Sequence, residues 1–577
     1  MILKRPSVVA SHYAVSSGHG LATNAAMAIL EAGGNAVDAG VAAGIALAVL
    51  HSDLVNFAGV APIILRMADS GRVVTIDGLG YWPKAATIAQ YEKHHGGGIP
   101  MGLLRTVIPA APAAWIRALR EFGSISFGEA AHAAIRYARE GFPMYPVFAD
   151  FIRDNESAYR GWAENARIYL PHDRPPRVGE IFVQRDLADT LQYMADQEAA
   201  AGPDRVGGLR AAHAAFYTGD IAATICRYHQ QHGGLLTRED LADYQVRLEA
   251  PLKARFAGCD FYCCGAWSQG VSMAQALSML EASDARRHRE HSADSIHHLV
   301  EIFKLVFADR EQFVADPRFV AVPVGGLLDP AYLRTRLASI EAGRAFPGMP
   351  PHGDPAGGAG REGADPADPT PSCADRVDTG PLAADTSHAC VIDRFGNMFA
   401  ATPSDTSYDT PVIPGTGLCP SSRGSQSRGV SSSINALAPG KRPRLTPNPV
   451  IALRNGKPFM TLGTPGGDVQ VQAMVQVLVN LLWFKMDVQA AIEAPRFASY
   501  SFPSSFAPND YFPKLLMLEQ RLDRGVGDEL TARGHDVRWW GDWSAKAGGV
   551  CAIVADEAGC GLSAGADPRR AGLASGR

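Results

Sequence analysis

The segment Asp385-Thr386-Ser387-His388-Ala389-Cys390-Val391-Ile392-Asp393 decides how the rest of the chain is interpreted. After Thr386 the residues turn apolar in the manner of a buried strand. Phe395-Gly396-Asn397 predicts a hairpin turn, and residues 398–402 predict a second strand. A threonine that opens a buried strand directly after a polar segment makes sense if the chain is cut there. Thr386 would then carry a free α-amino group beside its own hydroxyl, which is a nucleophile with a built-in base.

A lone threonine at the start of a strand is most simply a β-branched strand residue, so the surrounding pattern has to decide. Asp385-Thr386-Ser387-His388 is followed by a strand, by Asp393 and by Gly396-Asn397. This pattern resembles the start of the small subunit in the γ-glutamyltranspeptidase family of N-terminal-nucleophile hydrolases. In that family the threonine is both the autocleavage residue and the catalytic nucleophile. The resemblance implies cleavage between Asp385 and Thr386.

The composition is that of an ordinary globular protein. The chain has 577 residues, of which 46% are hydrophobic and 20% charged, and its net charge is −5. This mild acidity gives no electrostatic argument for binding nucleic acid or an anionic membrane. The nine cysteines include no CxxC pair. A disulfide framework or a zinc site is therefore not expected, and a reducing compartment fits better.

The first fifty residues contain no membrane or export signal. No apolar segment follows the basic residues Lys4 and Arg5, so no signal peptide is predicted. The apolar run 40–50 is shorter than the roughly 20 residues that cross a bilayer, and it predicts a core helix. Many members of the family are exported. The missing signal therefore predicts a cytoplasmic protein. The family resemblance implies that its substrate is a small-molecule amide.

A segment rich in Gly, Pro, Ala and Asp divides the chain. Residues 342–380 have almost no large apolar side chains and are predicted to form a flexible linker or tail. Residues 358–363 match GxGxxG, but no strand precedes them and no helix follows, so a dinucleotide site is rejected. The resemblance implies a large subunit, 1–385, and a small subunit, 386–577. Together they would form one α/β domain, a four-layer αββα sandwich with two stacked antiparallel sheets. Further pairing into a heterotetramer is left open.

Thr464-Pro465-Gly466-Gly467-Asp468 is the candidate oxyanion loop. It lies between a predicted strand, 459–462, and a predicted apolar helix, 471–484. Glycines let backbone N–H groups approach a ligand, and the N-terminus of a helix favours negative charge. A plain strand-to-helix turn would also use Gly-Gly. The spacing matches the Pro-Gly-Gly oxyanion loop of the family, which implies this catalytic role for Gly466 and Gly467.

Further site residues follow from the resemblance alone. Ser404 falls where the family has a second hydroxyl near the nucleophile, and Thr406 falls where it often has an asparagine. Residues 441–443 resemble a Lys-Arg-Pro segment after which transpeptidases carry two serines that help to hold the glutamyl carboxylate. Here those two places are Leu445 and Thr446, so Thr446 is the remaining candidate for substrate binding.

Two departures from the family concern the substrate. Transpeptidases hold the α-carboxylate of a γ-glutamyl group with an arginine, and the matching stretch 77–83 contains none. They hold the α-amino group with an aspartate, and Gln426 stands in that place, three residues after Arg423. Losing one member of a buried charge pair costs several kcal/mol of binding. A γ-glutamyl group is therefore not expected to be the best substrate. Arg423 is either a new carboxylate-binding residue or a solvated loop arginine.

The predicted mechanism uses Thr386 twice. Its hydroxyl first attacks the Asp385 carbonyl, and an N-to-O acyl shift followed by hydrolysis cuts the chain. The freed threonine then attacks an amide to form an acyl-enzyme, which water or an amine resolves. A γ-glutamyl hydrolase or transferase of glutathione metabolism is the first hypothesis. An amidohydrolase acting on another acyl group, such as a small carboxylate amide or a β-lactam side chain, is the second. A non-catalytic binding protein with the same fold is the third. No HExxH, clustered metal ligands or GxSxG is present, so no metal or cofactor is expected.

Overall fold

The structure is a computed structural model that describes residues 4–356, 372, 385–556 and 561–577. The bond between Asp385 and Thr386 is intact, so the molecule is the uncut chain. Of the predicted tail 342–380, residues 357–371 and 373–380 lie outside the described residues.

The strands, in chain order, are β1 (Val8–Ala10), β2 (Ala14–Ser17), β3 (Ile63–Arg66), β4 (Val73–Ile76), β5 (Phe142–Pro143), β6 (Ile181–Phe182), β7 (Leu248–Glu249), β8 (Leu252–Phe256), β9 (Cys259–Cys263), β10 (Ala389–Ile392), β11 (Met398–Ala401), β12 (Val450–Arg454), β13 (Lys457–Gly463), β14 (Phe497–Ser499), β15 (Leu515–Glu519), β16 (Asp536–Trp540), β17 (Cys551–Ala555), β18 (Leu562–Ala566) and β19 (Leu573–Gly576).

The α-helices are α1 (Gly20–Glu31), α2 (Ala36–Leu50), α3 (Ile88–His95), α4 (Ala111–Phe122), α5 (Phe127–Glu140), α6 (Pro146–Asp154), α7 (Glu156–Arg160), α8 (Ala163–Tyr169), α9 (Arg185–Ala200), α10 (Arg205–Tyr217), α11 (Asp220–Gln231), α12 (Arg238–Ala242), α13 (Gly270–Ala282), α14 (Ala293–Phe313), α15 (Val324–Leu327), α16 (Pro330–Leu337), α17 (Val469–Leu482), α18 (Val488–Glu493) and α19 (Arg524–Ala532). Short 3₁₀ helices span Leu103–Arg105, Pro171–Asp173, Ala285–Arg287, Arg423–Gln426 and Ala545–Ala547.

Two seven-stranded antiparallel sheets form the centre of the fold. The first has the strand order β1-β18-β17-β13-β12-β9-β8, and the second has the order β19-β2-β10-β11-β3-β4-β7. Each sheet takes strands from both sides of the Asp385–Thr386 bond. Neither side of the bond therefore contains either of these two sheets complete, and the two parts form one folded unit.

Apolar clusters divide the molecule into four layers. Helices α1 and α2 pack on the outer face of the second sheet, with α4 and α5 packed against α2. Helices α13 and α17 pack on the outer face of the first sheet, with α14 packed against α13. A third cluster joins the facing sides of the two sheets. Strand β10 contributes to both faces, because Val391 points to the helices and Cys390 to the other sheet. The predicted αββα sandwich with two stacked antiparallel sheets is confirmed.

Helix α2 illustrates how local signals start an element. Asn35 caps the helix by accepting hydrogen bonds from the N–H groups of Val37 and Asp38, and Asp38 completes a capping box. Every residue of α2 is buried, as the apolar run predicted. Strand β3 begins at Ile63. Pro62 directly precedes it and has no N–H to donate to a neighbouring strand.

Gly40 lets α2 pack closely against β11. A Cβ at this position would lie 2.1 Å from Cδ1 of the Phe399 ring. We therefore expect Gly40→Ala to lower the free energy of unfolding by about 1–3 kcal/mol through overpacking, measured as a lower melting temperature. The matched control is Gly128→Ala in α5, where the new Cβ would lie 3.4 Å from the Cβ of Ala195. A better helix former there should leave the melting temperature unchanged or raise it. Equal melting temperatures for the two variants would contradict this packing.

Candidate active site

The hairpin of β10 and β11 places Thr386 beside Ser404. Its register pairs Ala389 with Ala401, and the same register continued towards the ends of the strands sets Thr386 opposite Ser404. The backbone agrees, because the Ser387 N–H donates a 3.0 Å hydrogen bond to the carbonyl of Pro403. The strand was expected to begin at Thr386 but begins three residues later, since Thr386 has a φ of +95° that ends regular pairing.

Thr386 is buried and held in an unusual backbone conformation. A positive φ is rare for a β-branched residue and costs on the order of 1–3 kcal/mol. The Thr386 N–H donates a 2.9 Å hydrogen bond to the carbonyl of Leu54, and this contact holds the strained peptide group. The strain lies at the peptide unit that the sequence predicts to be cut.

Four buried side chains form a closed ring around the Thr386 hydroxyl. This hydroxyl donates to Oδ1 of Asp385 at 3.1 Å and lies 2.6 Å from the hydroxyl of Ser404. The other carboxylate oxygen of Asp385 is paired with Nη1 of Arg423. Nη2 of Arg423 donates to Ser404 Oγ at 2.6 Å, which closes the ring. The nucleophile candidate is thus in contact with a carboxylate before any cleavage has freed an amine.

Arg423 is fixed on its other edge as well. It begins the 3₁₀ helix Arg423–Gln426, and its Nε lies 3.2 Å from Oδ1 of Asp405. Asp405 also accepts hydrogen bonds from the hydroxyls of Ser421 and Ser422. Burial raises the pKa of the Asp405 carboxyl to about 6, against the opposing effect of Arg423. Arg423 is only 1% exposed, so its interpretation as a solvated loop arginine is wrong.

The predicted oxyanion loop joins β13 to α17. Gly466 and Gly467 have φ values of +126° and +55°, which favour glycine. Their carbonyls accept the hydrogen bonds that start the helix, from the N–H groups of Val469 and Gln470. Across the described ranges, neither glycine N–H donates to a protein acceptor. Both groups are free to bind an anion.

A cavity of about 270 Å³ opens beside the ring. Its polar end includes Asp385, Arg423, Thr406 and Gly466. Its other walls are largely apolar and aromatic, and they include Tyr500, Phe502, Phe506, Phe512, Leu515, Met517, Trp539 and Trp540. The cavity therefore offers a charged end beside the nucleophile candidate and an apolar remainder.

The other predicted substrate-binding residues pair with each other. Gln426 Nε2 donates a 2.8 Å hydrogen bond to the hydroxyl of Thr446, and both side chains are buried. Neither residue lines the cavity, and neither does Gly467, whereas Thr406 does. The Thr406 hydroxyl has no hydrogen-bond partner in the part of the chain that the structure describes. The structure thus joins Thr386, Ser404 and Arg423 in direct contact and sets the Gln426–Thr446 pair apart.

Sequence reasoning missed several charged groups around the cavity. Arg105 and Asp409 form a buried pair, with 3.3 Å between Nη1 and Oδ2, and both line the cavity. Asp468, after the two glycines, accepts from Gln269 Nε2 at 2.9 Å and is paired with the buried Arg310. Arg105 and Arg310 lie far from the motifs in sequence, so no local pattern identified them. Asp468 belongs to the quoted loop, and its charge was the only available signal.

A second group of buried polar side chains surrounds the backbone contact of Thr386. The group consists of His51, Ser52, Asp53, Ser387 and Arg570. Each of these side chains has at least one polar atom without a hydrogen-bond partner among the described residues. Ser387 Oγ and His51 Cε1 both lie within 3.2 Å of the point where a Gly18 Cβ would be. Burial raises the pKa of Asp53 to about 8, so this carboxyl is largely protonated at neutral pH.

Three buried side chains, His297, Glu301 and His535, have possible metal-ligand atoms within 4.8 Å of one another. Those atoms already have protein partners. His297 Nδ1 lies 2.9 Å from His535 Nε2, and its Nε2 lies 2.9 Å from the carbonyl of Glu341. Glu301 Oε1 lies 2.7 Å from the ammonium group of Lys304. The cluster is therefore explained as a buried polar network.

The fold and this ring around a threonine hydroxyl define the class of N-terminal-nucleophile hydrolases. The family model for gamma-glutamyltranspeptidase matches residues 22–577. The chain therefore belongs to the γ-glutamyltranspeptidase family, and the predicted family and its enzyme class, hydrolase or acyltransferase, are confirmed. None of the described helices is both long enough and apolar enough to cross a membrane.

Relatives of the chain include both acylases and glutathione hydrolases. The Acylase ACY 1 proenzyme of Pseudomonas sp. (strain SE83) is 32% identical over 536 residues, which are 91% of this chain and 87% of the relative. The Glutathione hydrolase proenzyme of Pseudomonas aeruginosa is 30% identical over 571 residues, 94% of this chain and 91% of the relative. The crystal structure of cephalosporin acylase from Bacillus halodurans superposes with a TM-score of 0.85 at 26% identity, and the match covers 100% of this chain and 98% of that one.

The protonated state of Asp53 predicts a pH-dependent stability. Its pKa in the folded chain, about 8, lies above the unfolded value of about 3.9. The folded chain therefore binds more protons between these values, and the contribution of Asp53 to stability is complete below pH 4 and is lost as pH rises to about 8. Asp53→Asn has no ionisable carboxyl at this position, so the variant does not lose this stability as pH rises. We expect the variant to gain on the order of 4 kcal/mol relative to wild type between pH 5 and pH 9.

The measurement is the melting temperature by calorimetry at each pH, with both proteins in a Thr386→Ala background so that both remain uncut. Glu239→Gln is the control, because this exposed carboxylate on α12 forms only an exposed pair with Lys84. A melting-temperature difference between the Asp53→Asn and Asp53 proteins that is constant over pH would refute the raised pKa.

Proposed function

We propose that the chain is the precursor of an amidohydrolase that cuts itself between Asp385 and Thr386. The observation that carries the proposal is the position of the Thr386 hydroxyl, 3.1 Å from Asp385 Oδ1 and 2.6 Å from Ser404 Oγ. No amine exists at Thr386 before the cut, so the Asp385 carboxylate is the base available to accept the hydroxyl proton. The positive φ of Thr386 adds strain that cleavage releases.

Self-cleavage then proceeds as an acyl shift. Asp385 Oδ1 takes the proton from Thr386 Oγ1, and the oxygen attacks the Asp385 carbonyl carbon. The carbon–nitrogen bond breaks, the proton passes to the departing nitrogen, and an ester joins Asp385 to Thr386 Oγ1. Water hydrolyses this ester and leaves a new carboxylate on Asp385 and a free amine on Thr386. The products are the predicted large and small subunits, 1–385 and 386–577.

In the mature enzyme the Thr386 amine replaces the carboxylate as the base. The Thr386 hydroxyl attacks the substrate amide, and a hydrogen bond with Ser404 orients this hydroxyl. The N–H groups of Gly466 and Gly467 bind the oxyanion at the start of α17, where the helix dipole adds stabilisation. Such donors contribute on the order of 3–4 kcal/mol each to the transition state. An amine leaves first, and water then hydrolyses the acyl ester.

The proposed substrate carries a carboxylate on its acyl group but no ammonium. Arg423 already binds a carboxylate in the uncut chain, that of Asp385. At the place of the family's ammonium-binding aspartate, Gln426 is uncharged and bonded to Thr446. The similarity to a cephalosporin acylase supports an amide substrate other than glutathione. Hydrolysis rather than transfer is part of this proposal. The cytoplasmic location and the pairing into a heterotetramer stay predictions.

The first experiment is the intact mass of the purified protein. We expect wild type to appear as two fragments, 1–385 and 386–577, and Thr386→Ala to appear as one uncut chain because the hydroxyl is missing. Thr386→Ser is the matched control, since it keeps the hydroxyl and should still be cut. An uncut wild-type chain would refute the proposal and favour a binding protein with this fold.

The second experiment compares two substrates that differ by one group. Glutaryl p-nitroanilide is γ-glutamyl p-nitroanilide without its α-ammonium. We expect kcat/KM for the glutaryl compound to be at least about tenfold higher, because each described carboxylate that lines the cavity already has a protein partner. The neutral 4-carbamoylbutanoyl anilide is the control for the carboxylate and should react more slowly than either charged acid. A preference for the γ-glutamyl compound would instead support the γ-glutamyl hydrolase hypothesis.

A further inference from the structure

In the uncut chain, one residue supplies both the carbonyl that is attacked and the carboxylate that Arg423 binds. The carbonyl of Asp385 forms the bond to Thr386, and its side-chain carboxylate is paired with Arg423 Nη1. Two carbon atoms, Cα and Cβ, separate these two groups. Asp385 therefore presents to Thr386 an acyl group with the carbon skeleton of succinate.

We propose that the mature acyl site is built for a four-carbon dicarboxylic acyl group of the succinyl type, and that Asp385 is its first, internal substrate. This inference rests on the proposed function. The ester formed in self-cleavage and the acyl-enzyme formed in turnover are the same bond on the same atom, Thr386 Oγ1. In the ester of self-cleavage, Arg423 binds the carboxylate of Asp385. An acyl group of the same length would therefore reach Arg423 in the acyl-enzyme.

Arg423 is held in a fixed position and therefore limits the length of the acyl chain that can bind. Its Nε lies 3.2 Å from Asp405 Oδ1 and its Nη2 donates to Ser404 Oγ at 2.6 Å. Asp405 is itself held by two serine hydroxyls, and the Phe506 ring lies 5.5 Å from the guanidinium carbon. The guanidinium therefore cannot move outward to pair with the carboxylate of a longer acyl group. Each added methylene lengthens the acyl group by up to about 1.5 Å, which is enough to misplace the carbonyl at Thr386.

The position of Arg423 disfavours the γ-glutamyl group by its length, in addition to the missing aspartate for its ammonium at Gln426. A γ-glutamyl or glutaryl acyl group has three carbons between its reacting carbonyl and its carboxylate, one more than Asp385. A malonyl group has one carbon and falls short of Arg423. Cleavage removes the covalent bond that holds Asp385 beside Thr386, so a free succinyl amide can take its place at Arg423.

The experiment measures kcat/KM of the self-cleaved enzyme with malonyl, succinyl, glutaryl and adipyl p-nitroanilides. We expect a maximum at succinyl, at least about tenfold above glutaryl, which corresponds to about 1.4 kcal/mol. A maximum at glutaryl or adipyl, or equal values along the series, would overturn the inference and leave the proposed function standing. A cut enzyme that hydrolyses none of the four would overturn both.

A second measurement tests the same length preference without any added substrate. Asp385→Glu moves the internal carboxylate out by one carbon, and Asp385→Asn keeps the length but removes the charge. We expect each to slow self-cleavage by at least about tenfold, followed as the uncut fraction over time by intact mass. Melting temperatures close to that of uncut Thr386→Ala verify that the variants fold. If Asp385→Glu cut itself at the wild-type rate, Arg423 would not select the length of the acyl group, and the inference would be overturned.

Discussion

In the uncut chain, the carboxylate of Asp385 is shared between the guanidinium of Arg423 and the hydroxyl of Thr386, and all three groups are buried. Removing one partner of a buried ion pair costs on the order of 3–5 kcal/mol, and Asp405 is the second anion beside Arg423. Arg423 therefore holds Asp385 in place, and Asp385 in turn orients Thr386. The order of the site before cleavage depends on this one ion pair.

The sheets and further buried pairs keep that ion pair in position. The register of β10 and β11 sets Thr386 opposite Ser404, and Arg310 is paired with Asp468 at the end of the glycine loop. Arg442 lies within 3.1 Å of carboxylate oxygens of both Asp77 and Asp316. In this water-poor surrounding each charge has fixed partners. The loops around the cavity are consequently held by charge pairs, while the layers behind them are held by apolar packing.

Local patterns predicted much of the fold and part of the site. The alternation after Thr386 and the turn at 395–397 predicted a hairpin, and its register follows from the length of the turn. The apolar run 40–50 predicted a core helix, which is part of α2. The Gly-Gly pair predicted a strand-to-helix loop, and the structure shows that both glycines have positive φ values. Each of these signals lies within a few residues of the element that it specifies.

The sequence by itself therefore determined the hairpin after Thr386, the core of helix α2, the glycine loop between a strand and a helix, the family, and the threonine at which the chain is predicted to be cut. Only the tertiary structure decided which charges meet. Arg423 could be solvated or buried as far as the sequence shows, and its pairing with Asp385 depends on a loop that folds back on the hairpin. Arg105 meets Asp409, and Asp53 is buried without a partner among the described residues, for the same reason. Pairing and desolvation depend on distances in space, which residue types and spacing along the chain do not encode locally.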